Sequence, residues 1–182
     1  MSWGAFFINK REYKRESVIK YAEKWAYLRN PEYYNYDLIG GDCTNFASQC
    51  ILAGSSVMNY NQYGWYYRNG NDKSPSWTGV EYLHNFLIHN NSVGPCAVES
   101  TLDKIENGDI IQLSFNGNVF SHTLVVVDSN NGSDLNNVFV ATHTLDSYGR
   151  SVASYEYLKI RYIHITGVIY WKRWKMSGFV VY

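Results

Sequence analysis

The stretch IIQLSFNGNVFSHTLVVV, residues 110–127, decides the fold class. Its two apolar runs, Ile110–Phe115 and Thr123–Val127, are short and rich in β-branched side chains, and a polar turn separates them, as in neighbouring strands. Val138–Thr142 and Tyr162–Tyr170 repeat the pattern, so the C-terminal half predicts an antiparallel sheet. The polar segment Asp128–Asn137 reads as a hairpin turn and does not match the D-x-[DN]-x-[DN]-G calcium loop.

Upstream the hydrophobic period changes. Between Glu16 and Arg29, the residues Val18, Ala22, Trp25 and Ala26 fall on one face at helical spacing, and Asn30–Pro31 ends the run. Gly40 and Gly41 make a turn, Asp42 is an N-cap candidate, and a second helix is expected from Cys43 to Ala53 with Gly54 as its C′ stop. A third helix, Gly79–His89, would bury Val80, Leu83, Phe86 and Leu87, and Gly94–Pro95 would close the helical half. Trp171–Tyr182 reads as a last strand or a tail. Helices followed by an antiparallel sheet give an α+β architecture. With 182 residues and no repeat or linker, the chain forms a single domain, residues 1–182.

Composition narrows the function classes. Lys and Arg total 16, as do Asp and Glu, and 46% of residues are hydrophobic, enough for a real core. A neutral chain without a block of like charge argues against nucleic acid and polybasic membrane binding. No apolar run approaches the roughly 20 residues of a spanning helix, and residues 1–10 lack the pattern of an export signal. The three cysteines, Cys43, Cys50 and Cys96, cannot all pair. On a helix, Cys43 and Cys50 would stand about 10 Å apart along the axis, too far for a disulfide. Aromatic residues reach 17%, a share that suits a half-wet groove as well as strands,.

The strongest local feature is GGDCTNF, residues 40–46. A cysteine in the first turn of a helix feels the positive helix end, which favours the thiolate, and nearby N–H groups can receive an oxyanion. A cysteine nucleophile needs a base, and imidazole suits because it titrates near neutrality. His84 and His89 fit a polar helix face, and His164 fits a satisfied position in the sheet. His122 opens a strand, where a base could reach a helix-borne thiol. His143 and Asp146 follow the adjacent strand and are candidates for a third group that orients the base, His143 first and Asp146 as the fallback.

Several motifs in order, GGDCTNFASQ (40–49), GWYY (64–67), SPSWTGV (74–80), GDIIQL (108–113), SHT (121–123) and THTLD (142–146), resemble the bacterial putative amidase domain family. The match runs from about Tyr13 to Val168. The resemblance implies a papain-like fold of the NlpC and CHAP cell-wall hydrolase type, with N-terminal helices packed on a small antiparallel sheet or half-barrel. It implies Cys43 as nucleophile, His122 as general base, His143 as the third polar residue and Asp42 as a capping residue. The glutamine that papain places before its cysteine is missing, since Asp37 stands there, so Asn45 or the segment of Tyr33, Tyr34 and Tyr36 could supply a second oxyanion donor. Trp65, Tyr66 and Trp77 would line a substrate groove.

The expected activity is hydrolysis of an amide in a cell-wall (peptidoglycan) peptide or related peptide through a thioester acyl-enzyme. It needs no metal or organic cofactor. A monomer is expected, and the resemblance favours a cell-wall or extracellular location. The rival reading is a catalytically silent peptidoglycan- or glycan-binding module on the same fold. A zinc hydrolase using Cys43, His122 and His143 has suitable ligand types but no tight ligand spacing.

Overall fold

The computed structural model describes residues 6–132 and 134–173. In chain order it holds β1 (Phe6–Arg11), α1 (Arg15–Trp25), α2 (Cys43–Ser55), β2 (Tyr67–Asn69), β3 (Asp72–Lys73), α3 (Pro75–Thr78) and α4 (Val80–His89). There follow β4 (Gly94–Ser100), β5 (Ile110–Ser114), β6 (His122–Asp128), β7 (Phe139–Thr142), β8 (Ser147–Ser151) and β9 (Lys159–Arg173). Seven strands make one antiparallel sheet in the order β1-β9-β5-β6-β7-β8, with β4 also paired to β9. The α+β expectation therefore stands. Among the described residues no helix is long and apolar enough to cross a membrane.

β9 is the spine of the sheet. Residues 159–163 pair with β5, residues 162–169 with β4 and residues 168–173 with β1. Where β9 passes from β5 to β1, Arg15 Nη2 donates to the Ile165 carbonyl at 2.9 Å and the buried Asp109 accepts from the Ile165 N–H at 3.0 Å. Asp109 also takes His164 Nδ1 at 2.8 Å, so His164 and the GDIIQL motif fasten the sheet. Both faces of the sheet are covered. Val125 and Ile163 pack against Phe46, Ile51, Trp65, Trp77 and Leu83 on the helical side. Ile111, Leu113, Leu124, Val126 and Val140 form a second core on the other.

Three boundaries differ from expectation. α1 stops at Trp25 and not at Arg29, because the chain turns there with Leu28 N–H on the Trp25 carbonyl. Gly94–Pro95 begins a strand; β4 pairs only with β9, and an outer strand tolerates proline's missing donor,. Gly54 does not stop α2, which runs to Ser55 and ends at the left-handed Ser56 (φ 56°). The glycine is required by packing: a Cβ there would lie 2.5 Å from Tyr13 Cε2 and 2.6 Å from Val18 Cγ2. Gly54→Ala should therefore lower stability by about 1–3 kcal/mol despite alanine's better helix propensity, a change that urea unfolding will read. Of the C-terminal segment, Trp171–Arg173 belongs to β9 and residues 174–182 lie outside the described residues.

Candidate active site

Gly40 (φ 96°) and Gly41 (φ 100°) take the left-handed backbone that swings the chain into α2,. This turn is tied to the loop after β7, where Thr144 Oγ1 accepts the Asp42 N–H at 3.0 Å. The Asp42 carboxylate is buried and accepts from three donors: the Tyr36 N–H at 2.9 Å, Asn45 Nδ2 at 2.9 Å and His143 Nδ1 at 2.6 Å. His143 Nε2 lies 2.9 Å from the Trp25 carbonyl, which also accepts the Leu28 N–H where α1 ends. Both ring nitrogens thus face oxygen atoms, and His143 bridges Asp42 to the end of α1. Phe46 stacks on that ring with centroids 4.1 Å apart. Arg29 closes the cluster, meeting Asp146 at 2.9 Å and Asp37 at 2.7 Å and lying 3.7 Å from Asp42.

Cys43 is the first residue of α2 and is 7% exposed. Burial pushes its thiol above the ordinary cysteine value, against the pull of the Thr123 backbone N–H and Thr44. The thiolate expected from the helix terminus is therefore not the resting form, because desolvation outweighs the dipole. Sγ lies 3.8 Å from Thr44 Oγ1, and Thr44 Oγ1 lies 2.9 Å from Thr123 Oγ1. The residues that follow Cys43 and His122 are thereby bonded to each other. Gln112 Nε2 supports this pair, 3.2 Å from Thr123 Oγ1.

His122 is buried at the start of β6, with its ring between Phe115 (centroids 6.0 Å) and Tyr155 (6.2 Å). Desolvation, with a smaller contribution from Arg150, lowers its pKa to about 4, so the imidazole is neutral at pH 7. Its side chain makes no hydrogen bond among the described residues, and none joins it to Cys43 Sγ. Strand alternation puts His122 in the row of Leu124 and Val126, whereas Thr123 heads the row facing α2,. Thiol and imidazole thus flank the first peptide of β6 from two sides.

Several predicted roles change. His143 gives both nitrogens to Asp42 and Trp25, leaving none to orient His122, and Asp146 is held by Arg29. Asp42 sits at the N-cap position without a capping bond from its side chain,. Asn45 cannot serve an oxyanion: Nδ2 donates to Tyr34 O and Asp42, and Oδ1 accepts from Trp77 Nε1 at 2.8 Å. Trp65 and Trp77 are fully buried core residues and do not line a groove. Their rings pack 5.0 Å apart, and Trp65 Nε1 donates to Ser48. Tyr66 is half-buried against Tyr60. His84 meets Glu99 and His89 meets the Asn85 carbonyl.

An open cavity of about 940 Å³ was not foreseen; Leu135, Tyr157 and Leu158 help line it, together with Phe115 and Tyr155, the two rings that flank His122. Most of that wall comes from the loop after β8, which has no periodicity to mark it. No group of three His, Cys, Asp or Glu side chains among the described residues could hold a metal ion, and all three cysteines are free and buried.

Residues 12–166 match the profile of a family described as a putative amidase domain. Among curated proteins, the uncharacterized protein YhbB of Bacillus subtilis (strain 168) is 32% identical over 165 residues, covering 85% of this chain and 50% of that protein. The uncharacterized protein YjcM of the same strain is 23% identical over 127 residues, covering 65% of this chain and 29% of that protein. The chain thus spans half or less of the length of these relatives. No solved structure matches it significantly.

Proposed function

The chain belongs to the putative amidase domain family, and from that membership we propose a papain-like cysteine hydrolase of the NlpC/CHAP type that cleaves an amide in a cell-wall peptide or related peptide. The observation that carries the reading is Cys43 on the first turn of an uncapped helix, bonded through Thr44 and Thr123 to the strand position that follows a neutral His122. Sγ attacks the amide carbonyl carbon and the Cys43 N–H receives the oxyanion. His122 takes the thiol proton and passes it to the departing amine, leaving a thioester on Cys43. Water, with His122 as base, then releases the acid. Thiol and imidazole both start neutral, so proton transfer accompanies attack. No bond joins the two in the free protein, so on this reading the imidazole turns about the strand start toward Sγ when substrate binds. The cavity bordered by Phe115 and Tyr155 is the substrate groove of this reading, in place of Trp65 and Trp77.

The pH profile of kcat/KM tests the assignment. A base titrating near 4 stays competent through mildly acidic conditions, so the acid limb should fall near pH 4 and not near 6.5. His122→Ala should lose about 10²–10⁴-fold. An acid limb at 6.5, or activity indifferent to His122, would overturn the assignment. The same group sets a stability trend: the unfolded chain takes up its proton first, so stability should fall as pH drops from about 6.5 to about 4. The missing thiol–imidazole bond favours one rival, a silent binding module on the same fold, for which cell-wall peptides would bind without being cleaved.

A further inference from the structure

A second concavity, of about 870 Å³, lies between the loop 59–64 and the outer side of α4 and shares no lining residue with the Cys43 site. Its lining differs in kind. Six of the residues around it are amides (Asn59, Asn61, Gln62, Asn85, Asn90 and Asn91), the aromatic rings of Tyr63, Tyr82 and Phe86 add flat apolar faces, no Asp, Glu, Lys or Arg takes part, and the one imidazole, His89, turns its Nδ1 to the Asn85 carbonyl.

Both rims are pre-shaped by hydrogen bonds. On one side Asn59 and Trp65 exchange backbone bonds at 2.8 Å each, and Asn59 Oδ1 caps the Asn61 N–H. Gly64 is tight against Asn59, whose carbonyl oxygen would lie 2.1 Å from a Cβ there. On the other side Asn90 Nδ2 donates to the Pro95 carbonyl at 2.8 Å and Asn90 Oδ1 accepts the Ser92 N–H at 3.0 Å. The groups between these rims are uncommitted. The side chains of Gln62, Tyr63, Tyr82, Asn85 and Asn91 are exposed and make no hydrogen bond among the described residues.

A site with no carboxylate, ammonium or guanidinium group favours neutral ligands over ions, since desolvating a charge without a partner is costly. Planar amides present a donor and an acceptor side by side, the pattern that vicinal hydroxyls complement, and aromatic faces take the C–H side of a pyranose ring. We propose that this concavity is a binding site for a neutral glycan, independent of the chemistry at Cys43.

Protein-observed NMR titration of the whole chain with chitotetraose and cellotetraose tests it. At least one should give saturable shifts confined to residues 59–64 and 82–92, with millimolar affinity. The exposed-site double variant Tyr82→Ala/Asn85→Ala should weaken binding at least about tenfold while keeping the wild-type spectrum elsewhere, and Cys43→Ala should bind as wild type. The proposal is overturned if neither glycan shifts these residues at about 10 mM, if the double variant binds unchanged, or if a neutral peptide such as tetraglycine binds there instead. Because Cys43→Ala is expected to bind normally, failure of the glycan site leaves the hydrolase reading untouched, and the converse also holds.

Discussion

Cys43→Ala should abolish amide hydrolysis, lowering kcat/KM by about 10⁴-fold or more, and leave the fold intact. The size follows from the chemistry, because without Sγ there is no thioester and only the N–H groups of α2 remain to polarise the carbonyl. The fold survives because α2 is anchored by others. Asp42, Asn45, Phe46 and Ser48 make the bonds and contacts of its first two turns, and none of these uses the sulfur. A matched control is Cys50→Ala in the same helix. Cys50 is fully buried, and burial drives its thiol well above the ordinary value. That variant should lose some stability to the cavity it opens but keep turnover. Activity and thermal unfolding measured together separate the two cysteines, and turnover retained in Cys43→Ala would end the covalent mechanism.

Asp42→Ala should be the most destabilising single change near the site. It strands the Tyr36 N–H, removes one of the two partners of Asn45 Nδ2 and of the His143 ring in a buried setting, and weakens the grip on Arg29. Breaking one partner of a buried pair costs about 3–5 kcal/mol, which for a chain this long lowers Tm by roughly 10 °C. The pair is also coupled. In a cycle with His143→Ala, the double variant should be less damaged than the sum of the singles by about 1–3 kcal/mol. Additive effects below 1 kcal/mol each would mean that Asp42 and His143 do not act as a unit. Because the pair joins the turn before Cys43 to the loop after β7, activity should fall with it even below the melting temperature.

The sequence made the class of fold legible where period and burial agree. The runs of β5, β6 and β7 are apolar on both faces because both faces of the sheet are covered, and they read as strands without ambiguity. The placement of Cys43 at a helix start and of His122 at a strand start was legible because glycine turns and changes of hydrophobic period are local signals. What stayed hidden depends on partners distant in the chain. β8 is polar in pattern and forms only against β7, and β1 joins a short apolar run to a charged end and forms only against β9. His143 looked like an aid to His122 because the start of β6 and the end of β7 are expected side by side in a hairpin, yet its partner is Asp42, 101 positions away. Trp65 and Trp77 looked like groove residues because motif density says nothing about which way a ring faces.

The long spine β9 also governs when this molecule can exist at all. Each of its three partner strands precedes it in the chain, and β1 must find residues 168–173 across nearly the whole sequence. Such pairings carry a large loop-closure cost before they return anything, so folding belongs among the slower, non-local cases. On the ribosome α2 can form early, but the sheet against which it packs lacks its centre until β9 has emerged. The thiol is therefore synthesised long before the central strand of the sheet against which its helix packs.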